Sequence, residues 1–447
     1  MQSLGQIRPT YAESFRCIGS ACEDTCCHGW SVPVDRASWE KYQQLPDVPL
    51  AALIRENVQL QPAQPDGAAP AHFARMQLRP DGYCPMLSEE KLCRIQSGFG
   101  EELLSQTCAT YPRIVNTVDG APDKALALSC PEAARHVLLN PDLWGDGLEG
   151  IPGEERPESA AHNDPESLYR PLAHFWAIRA CALTLLGERS YPLWQRLFLL
   201  GLFCRRLDEI AAGTLRQTVP NFLLSFQVAV SQGSLLPALE NLPVDRDAQL
   251  DVVLRLAGLM LNRSGVLPRF SECVAAFTSG IGNGPEATLQ SLSARYAEAH
   301  DRFFTPFMSR NPHILENYLL NTILRLNFPF GKTAGQSQSA TTMTQEYGKL
   351  LAQFALMKGL LIGVAGHHRA SFAAEHVVHT FQTASKHFEH HPEFLTHAYN
   401  LLVESRMDGA RGMAILLRNA PPVGVSKPVA PAREVPAPRP GAQVMVQ

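Results

Sequence analysis

From about residue 167 to residue 418, apolar positions recur at helical spacing in blocks closed by glycine and proline. The blocks predict helices at 167–187, 191–212, 218–231, 246–263, 268–279, 286–304, 312–327, 342–364, 369–388 and 393–405. Between them fall the breakers Gly213, Gly233, Pro243, Gly265, Gly280 to Gly284, Pro329 to Gly331 and Pro392, and no repeat of fixed period appears. The first 144 residues read differently. A short helix starts after Asp35, a candidate N-cap, and residues 61–70 are a breaker-rich surface loop. The pattern predicts a mainly α fold, with an irregular Cys-rich N-terminal module (1–144) packed on a helical domain (167–420). Residues 145–166 read as a linker or surface loop. Residues 421–447 carry seven prolines in 27 positions and read as a disordered tail.

With 447 residues, 45% of them hydrophobic and 18% charged, the chain has enough apolar material for a real core. A net charge of −4 and a pI near 6.4 give no general attraction to nucleic acid or to an anionic membrane. The most apolar run, Leu197 to Cys204, is about half of the ~20 residues that span a bilayer. The N-terminus shows no secretory pattern, and the expected location is the cytoplasm, where thiols stay reduced.

That expectation gives the cysteines their meaning. Cys17, Cys22, Cys26 and Cys27 fall within eleven residues, and Cys84, Cys93, Cys108 and Cys130 follow, so eight of eleven cysteines precede residue 131. Cys181, Cys204 and Cys273 stand alone in apolar helical text and read as small buried hydrophobes. Crowded thiols in a reducing compartment point to metal ligation rather than disulfides. Soft sulfur suits iron–sulfur clusters or zinc. The spacing is not that of a zinc ribbon, which places a cluster, expected as 4Fe–4S, ahead of zinc. Buried free thiols clustered by chance are the bland alternative. Cys130, before Pro131 and Glu132, is predicted at a helix N-terminus, where a thiolate is stabilised.

Other motifs carry less. Gly145 to Gly150 fits GxGxxG, but no strand precedes it and no helix follows. Gly280 to Gly284 reads as a helix–helix turn. Eight of fifteen histidines lie between His367 and His397. His376 and His379 share a helix face that a metal could use, yet no neighbouring Cys or repeated carboxylate completes a site, so the stretch reads as a partly exposed helical face. Asn317, Asn321 and Arg325 form a polar row at i, i+4, i+8, which fits a cleft wall or an amphipathic surface helix.

The run from Phe15 to Trp30 closely resembles the start of the bacterial flagellin lysine-N-methylase (FliB-like) family. The segments around Cys84, Cys93, Cys108 to Arg113 and Cys130 to Arg135 are similar to its remaining cysteine boxes. Asn317 to Phe330 resembles its C-terminal box. The resemblance implies methyl transfer from S-adenosylmethionine to lysine ε-amines of flagellin by a protein with an iron–sulfur cluster. The chain would then be a protein-lysine N-methyltransferase with no nucleic-acid or membrane partner. The radical signature Cys-x3-Cys-x2-Cys is met at Cys22 and Cys26 but has Gly29 at its third position. An acceptor amine must lose its proton, and Tyr111, Glu316 and Tyr318 are candidates for that step. The alternative is a non-enzymatic or redox protein with a structural iron or zinc centre.

Overall fold

The computed structural model describes residues 7–30, 32–62, 73–118, 121–145, 148–150, 167–261, 267–331 and 341–419. The expected tail, most of the 61–70 loop and part of the Gly145–Gly150 string lie outside these residues.

The architecture is mainly α. The helical body runs from Phe175–Gly187 and Leu193–Ala211 through Val219–Ser231, Arg246–Leu261, Pro268–Gly280 and Leu289–Ala299 to His313–Leu326, Met343–His368, Ala374–Phe388 and Pro392–Glu404. These follow the predicted blocks, with ends moved by a few residues. The block predicted at 286–304 continues through a π-helical turn, His300–Phe304, into Thr305–Arg310. Two short helices, Leu236–Glu240 and Ala410–Leu417, are additional. The second lies almost wholly in the core, where apolar text without polar alternation gives no periodic signal.

Met343–His368 is the axis of the body. Its N-cap Thr342 accepts from Gln345 N–H while the Gln345 side chain answers at the Thr342 N–H, a capping box. By length and composition this helix would cross a bilayer, but 89% of its apolar window is buried inside the fold. Each fully buried Leu, Ile or Phe contributes about 1.5–3 kcal/mol, so a helix apolar all round is stable only in such a position. Pro268–Gly280 crosses it in backbone contact. A Cβ on Gly280 would sit 1.8 Å from the carbonyl oxygen of Gly363, so only glycine fits the crossing.

The N-terminal part holds more regular structure than its text suggests. Val32–Val34, Ala74–Met76 and Val58–Leu60 form an antiparallel three-stranded sheet with Ala74–Met76 in the middle. It closes a small core of Val32, Val34, Tyr42, Ile54, Met76, Cys84, Met86 and Ile95. Asp35 caps Arg36–Gln43 as expected, accepting from Ser38 N–H at 2.9 Å. A hairpin pairs Arg113–Val118 with Ala121–Leu126. The expected linker is not all loop, since Leu148–Gly150 pairs antiparallel with Ile7–Pro9.

Apolar packing divides the N-terminal residues between two cores. Tyr11, Ala12, Phe15, Leu126, Leu128, Ala134 and Val137 belong to the large core shared with the helical body. The polar row on His313–Leu326 joins them to it. Asn317 donates to the carbonyls of Val137 and Asn140 at 2.9 and 2.7 Å. Asn321 donates to the Leu126 carbonyl at 2.8 Å and accepts from the Leu126 N–H and the Tyr11 hydroxyl, both at 3.0 Å. The row is therefore neither an exposed face nor a cleft wall. Its amides satisfy backbone groups at a helix end and on a strand that would otherwise be buried without partners.

Candidate functional site

All eleven cysteines are free thiols. Cys17, Cys22, Cys26, Cys27, Cys93 and Cys130 line one cavity of about 140 Å³, with Tyr111, Ser129 and Lys91 in the same wall. Separate local devices aim them. The Cys26 and Cys27 thiols interact with each other, and that of Cys27 interacts with Cys84. Cys84 N–H also donates to the Cys27 carbonyl at 2.8 Å, which ties the first cysteine loop to the second. Cys93 is the N-cap of Arg94–Phe99, and Cys130 is the N-cap of Pro131–Leu138. Cys108 lies in Gln106–Thr110, its N–H held by Ser105 Oγ at 3.3 Å.

The helix N-terminus does not make Cys130 a stabilised thiolate. Burial, the largest influence, pushes its thiol up to about 12, and nearby Cys22 and Cys26 add to this. The Cys27 thiol is pushed up to about 12, its hydrogen bond with Cys26 lowering it and its hydrogen bond with Cys84 together with burial raising it by more. Cys84 is lowered, chiefly by its hydrogen bond with Cys27. Among the described residues, no three His, Cys, Asp or Glu side chains already surround a single point as a metal-ion site. Six of the eight candidate ligands line the cavity while Cys84 and Cys108 do not, and a soft, reduced donor set of this kind fits a thiophilic metal centre.

The cysteine loop is clamped to the body through Asp24. Its Oδ2 accepts from Lys386 Nζ at 2.8 Å and from Gln382 Nε2 at 2.7 Å. Lys386 also donates to the Thr25 carbonyl, and Glu389 accepts from the backbone of Leu128 and Ser129. Ala374–Phe388 thus holds both the Cys22–Cys27 loop and the approach to Cys130.

Beside the cavity, a cleft of about 200 Å³ opens between this loop and the helical body. It shares Cys22, Asp24, Thr25 and Lys91 with the cavity, and adds Glu23, His28, Tyr83, Arg269 and His387. His28 stacks on Tyr83 with ring centroids 4.0 Å apart. Gly29 follows at φ +82°, and a Cβ there would lie 2.7 Å from a Leu267 methyl. A cysteine at the third position of the radical signature would therefore be strained by the backbone conformation and would require Leu267 to shift.

Of the three residues considered for proton removal, Tyr111 lines the cysteine cavity. It is held at 3.1 Å from Ser129 Oγ and packed near Trp30 and His390. Burial raises its hydroxyl well above the ordinary tyrosine range, which suits a hydrogen-bond donor rather than a base. Glu316 is a buried counter-ion, bound by Arg189 at 2.8 Å and Arg196 at 2.7 Å. Tyr318 is fully buried against Phe381. Asp24, Lys386 and Gln382 are the positioning residues that sequence reading did not single out. For Gln382 and Lys386 the signal was a polar side chain interrupting the apolar face of a helix.

A cysteine-lined cavity docked on a helical body defines a two-core α protein with a thiol site at the seam. The chain belongs to the FliB lysine N-methylase family, whose C-terminal domain matches residues 179–416. It is 24% identical over 406 residues to the lysine-N-methylase of Salmonella typhimurium, a match covering 87% of this chain and 93% of that protein. The lysine-N-methylase of Salmonella choleraesuis matches to the same extent. The flagellar biosynthetic protein FliU of Salmonella muenchen is 32% identical over 148 residues, 33% of this chain and 85% of that protein. No solved structure matches this one.

Proposed function

We propose that this protein transfers methyl groups from S-adenosylmethionine to lysine ε-amines of flagellin, with an iron–sulfur cluster in the cysteine cavity. Relatives named lysine-N-methylase and flagellar biosynthetic protein support the substrate class. The observation that carries the reading is the cleft sharing Cys22, Asp24, Thr25 and Lys91 with the cysteine cavity. A centre held by the cysteines would fix one wall of that cleft, and the body helices would supply the other.

In the transfer, the neutral lysine nitrogen forms a bond to the sulfonium methyl carbon. The carbon–sulfur bond breaks toward the thioether product, and the ammonium proton leaves for a base or solvent. Glu23 and Asp24 line the cleft but are already paired with Arg135 and Lys386, and His28 is the first residue to test as proton acceptor. An amine is already a nucleophile, so alignment and desolvation suffice and the cluster's part is to build the cleft. The strain and crowding at Gly29 support this over radical chemistry.

Anaerobic purification with iron, sulfide and zinc analysis tests the metal. Methyl-labelled S-adenosylmethionine with flagellin, read by peptide mass, tests the activity. A Cys22→Ser variant should lose the cluster, the module's fold and the activity together. If it folds and binds both substrates normally yet transfers no methyl, the cluster acts in the chemistry. Bound metal with no transfer to flagellin would favour a non-enzymatic or redox protein.

A further inference from the structure

A further pocket, of about 260 Å³, collects histidines from two helices of the body. His367 and His368 end Met343–His368, His376 and His379 lie on Ala374–Phe388, and Glu272 comes from Pro268–Gly280. The carboxylate absent from the histidine stretch in the sequence is thus supplied by another helix. Glu272 makes no ion pair among the described residues, and the imidazoles of His368 and His379 have no hydrogen-bond partner there, although their carbonyls accept from Ser371 and Thr383.

We propose that Glu272, His367, His368 and His379 form a site for one divalent transition metal of the zinc, cobalt or nickel class. Imidazole and carboxylate donors select these ions, and two or three histidines with one carboxylate suit a four-coordinate centre that keeps a water. The neighbouring contacts sort the histidines by role. His367 Nδ1 lies 3.0 Å from Ser279 Oγ, to which it can donate, so Nε2 is free to ligate. His376 Nδ1 instead accepts from the Ala373 N–H at 3.0 Å, so its other nitrogen carries the proton and the ring cannot ligate. Its place is to support His368, on which it stacks at 3.6 Å.

The donors do not yet meet at one point. Glu272 and His367 are exposed and His368 and His379 partly so, so binding requires these side chains to reorient toward a common point. A bound ion would tie the C-terminal end of the central helix to both neighbours.

Tag-free, full-length protein with its cysteine centre intact should be titrated with Co²⁺. The expected result is one equivalent bound, with visible d–d absorption, no near-ultraviolet thiolate charge-transfer band and a raised melting temperature. His368→Asn/His379→Asn should weaken binding at least tenfold while leaving iron content and circular dichroism unchanged. His376→Gln should weaken it less. Equal binding by the double variant, a thiolate band, or no visible absorption would overturn the site. As the donors are on the surface, Glu272→Gln serves as a second variant should the double one fail to fold.

Discussion

Lys386 holds Asp24 across the seam between the cysteine loop and the body, Nζ to Oδ2 at 2.8 Å, with both side chains nearly closed to solvent. The ammonium spends a second hydrogen bond on the Thr25 carbonyl, and Gln382 completes the carboxylate. Charges this deep are tolerated only as a pair. The pair therefore reports on whether the loop is docked.

Replacing Lys386 with Met leaves Asp24 buried without its cation. The expected cost is about 3–5 kcal/mol. Thermal or denaturant unfolding should show it, and bound metal should fall in parallel. Adding Asp24→Asn should recover part of the loss. An unchanged melting temperature in the single variant would mean that the loop does not depend on the pair.

Asn321 satisfies three buried groups at once, the N–H and carbonyl of Leu126 and the Tyr11 hydroxyl. Asn321→Leu should destabilise by roughly 3 kcal/mol, since each stranded buried group costs ~1–3 kcal/mol. Hydrogen exchange should then rise first in Ala121–Leu126 and Tyr11–Ser14. Uniform protection across these segments would contradict the seam.

At Gly29 the backbone is in the left-handed region and a Leu267 methyl fills the space beyond. Gly29→Ala should cost roughly 1–3 kcal/mol, measured by denaturant unfolding. Leu267→Ala in the same chain should relieve the steric part and leave the conformational part. Gly29→Cys should be no better tolerated and should not raise iron content.

Lys358 is fully buried, and burial alone lowers it from 10.5 to about 7. Its three N–H donors meet the carbonyls of Leu416 and Leu417 and the Asn419 side chain at 2.8–3.0 Å. Between about pH 7 and 10 the unfolded chain carries a proton that the folded lysine sheds, so this group makes stability rise with pH. Below about 7 both states hold the proton and the penalty is constant. Lys358→Met should thus gain on the natural protein at pH 7 and lose that advantage toward pH 10, as measured by denaturant unfolding. A difference that stays flat with pH would show that the three acceptors keep the ammonium charged throughout.

The helical body was readable because breakers separate its blocks and each block has an inner face. Ala410–Leu417 escaped because it has almost no outer face. The Asn317–Asn321–Arg325 row was misread for a physical reason. A polar stripe looks the same from the sequence whether water or buried backbone satisfies it, and here the partners lie up to 310 residues away. The same blindness applied to the histidines, whose carboxylate neighbour Glu272 is on another helix. Of the cysteines, the crowding of Cys17, Cys22, Cys26 and Cys27 was legible because it is local. Which groups aim them, Lys386 and Gln382 above all, depends on contacts that no local pattern records.

Asp24 and Lys386 are separated by 362 positions. A ribosome releases the cysteine loop long before the residue that pins it, so the thiols exist for a time without the seam that gathers them. A truncation removing Ala374–Phe388 would yield thiols without the residues that dock them.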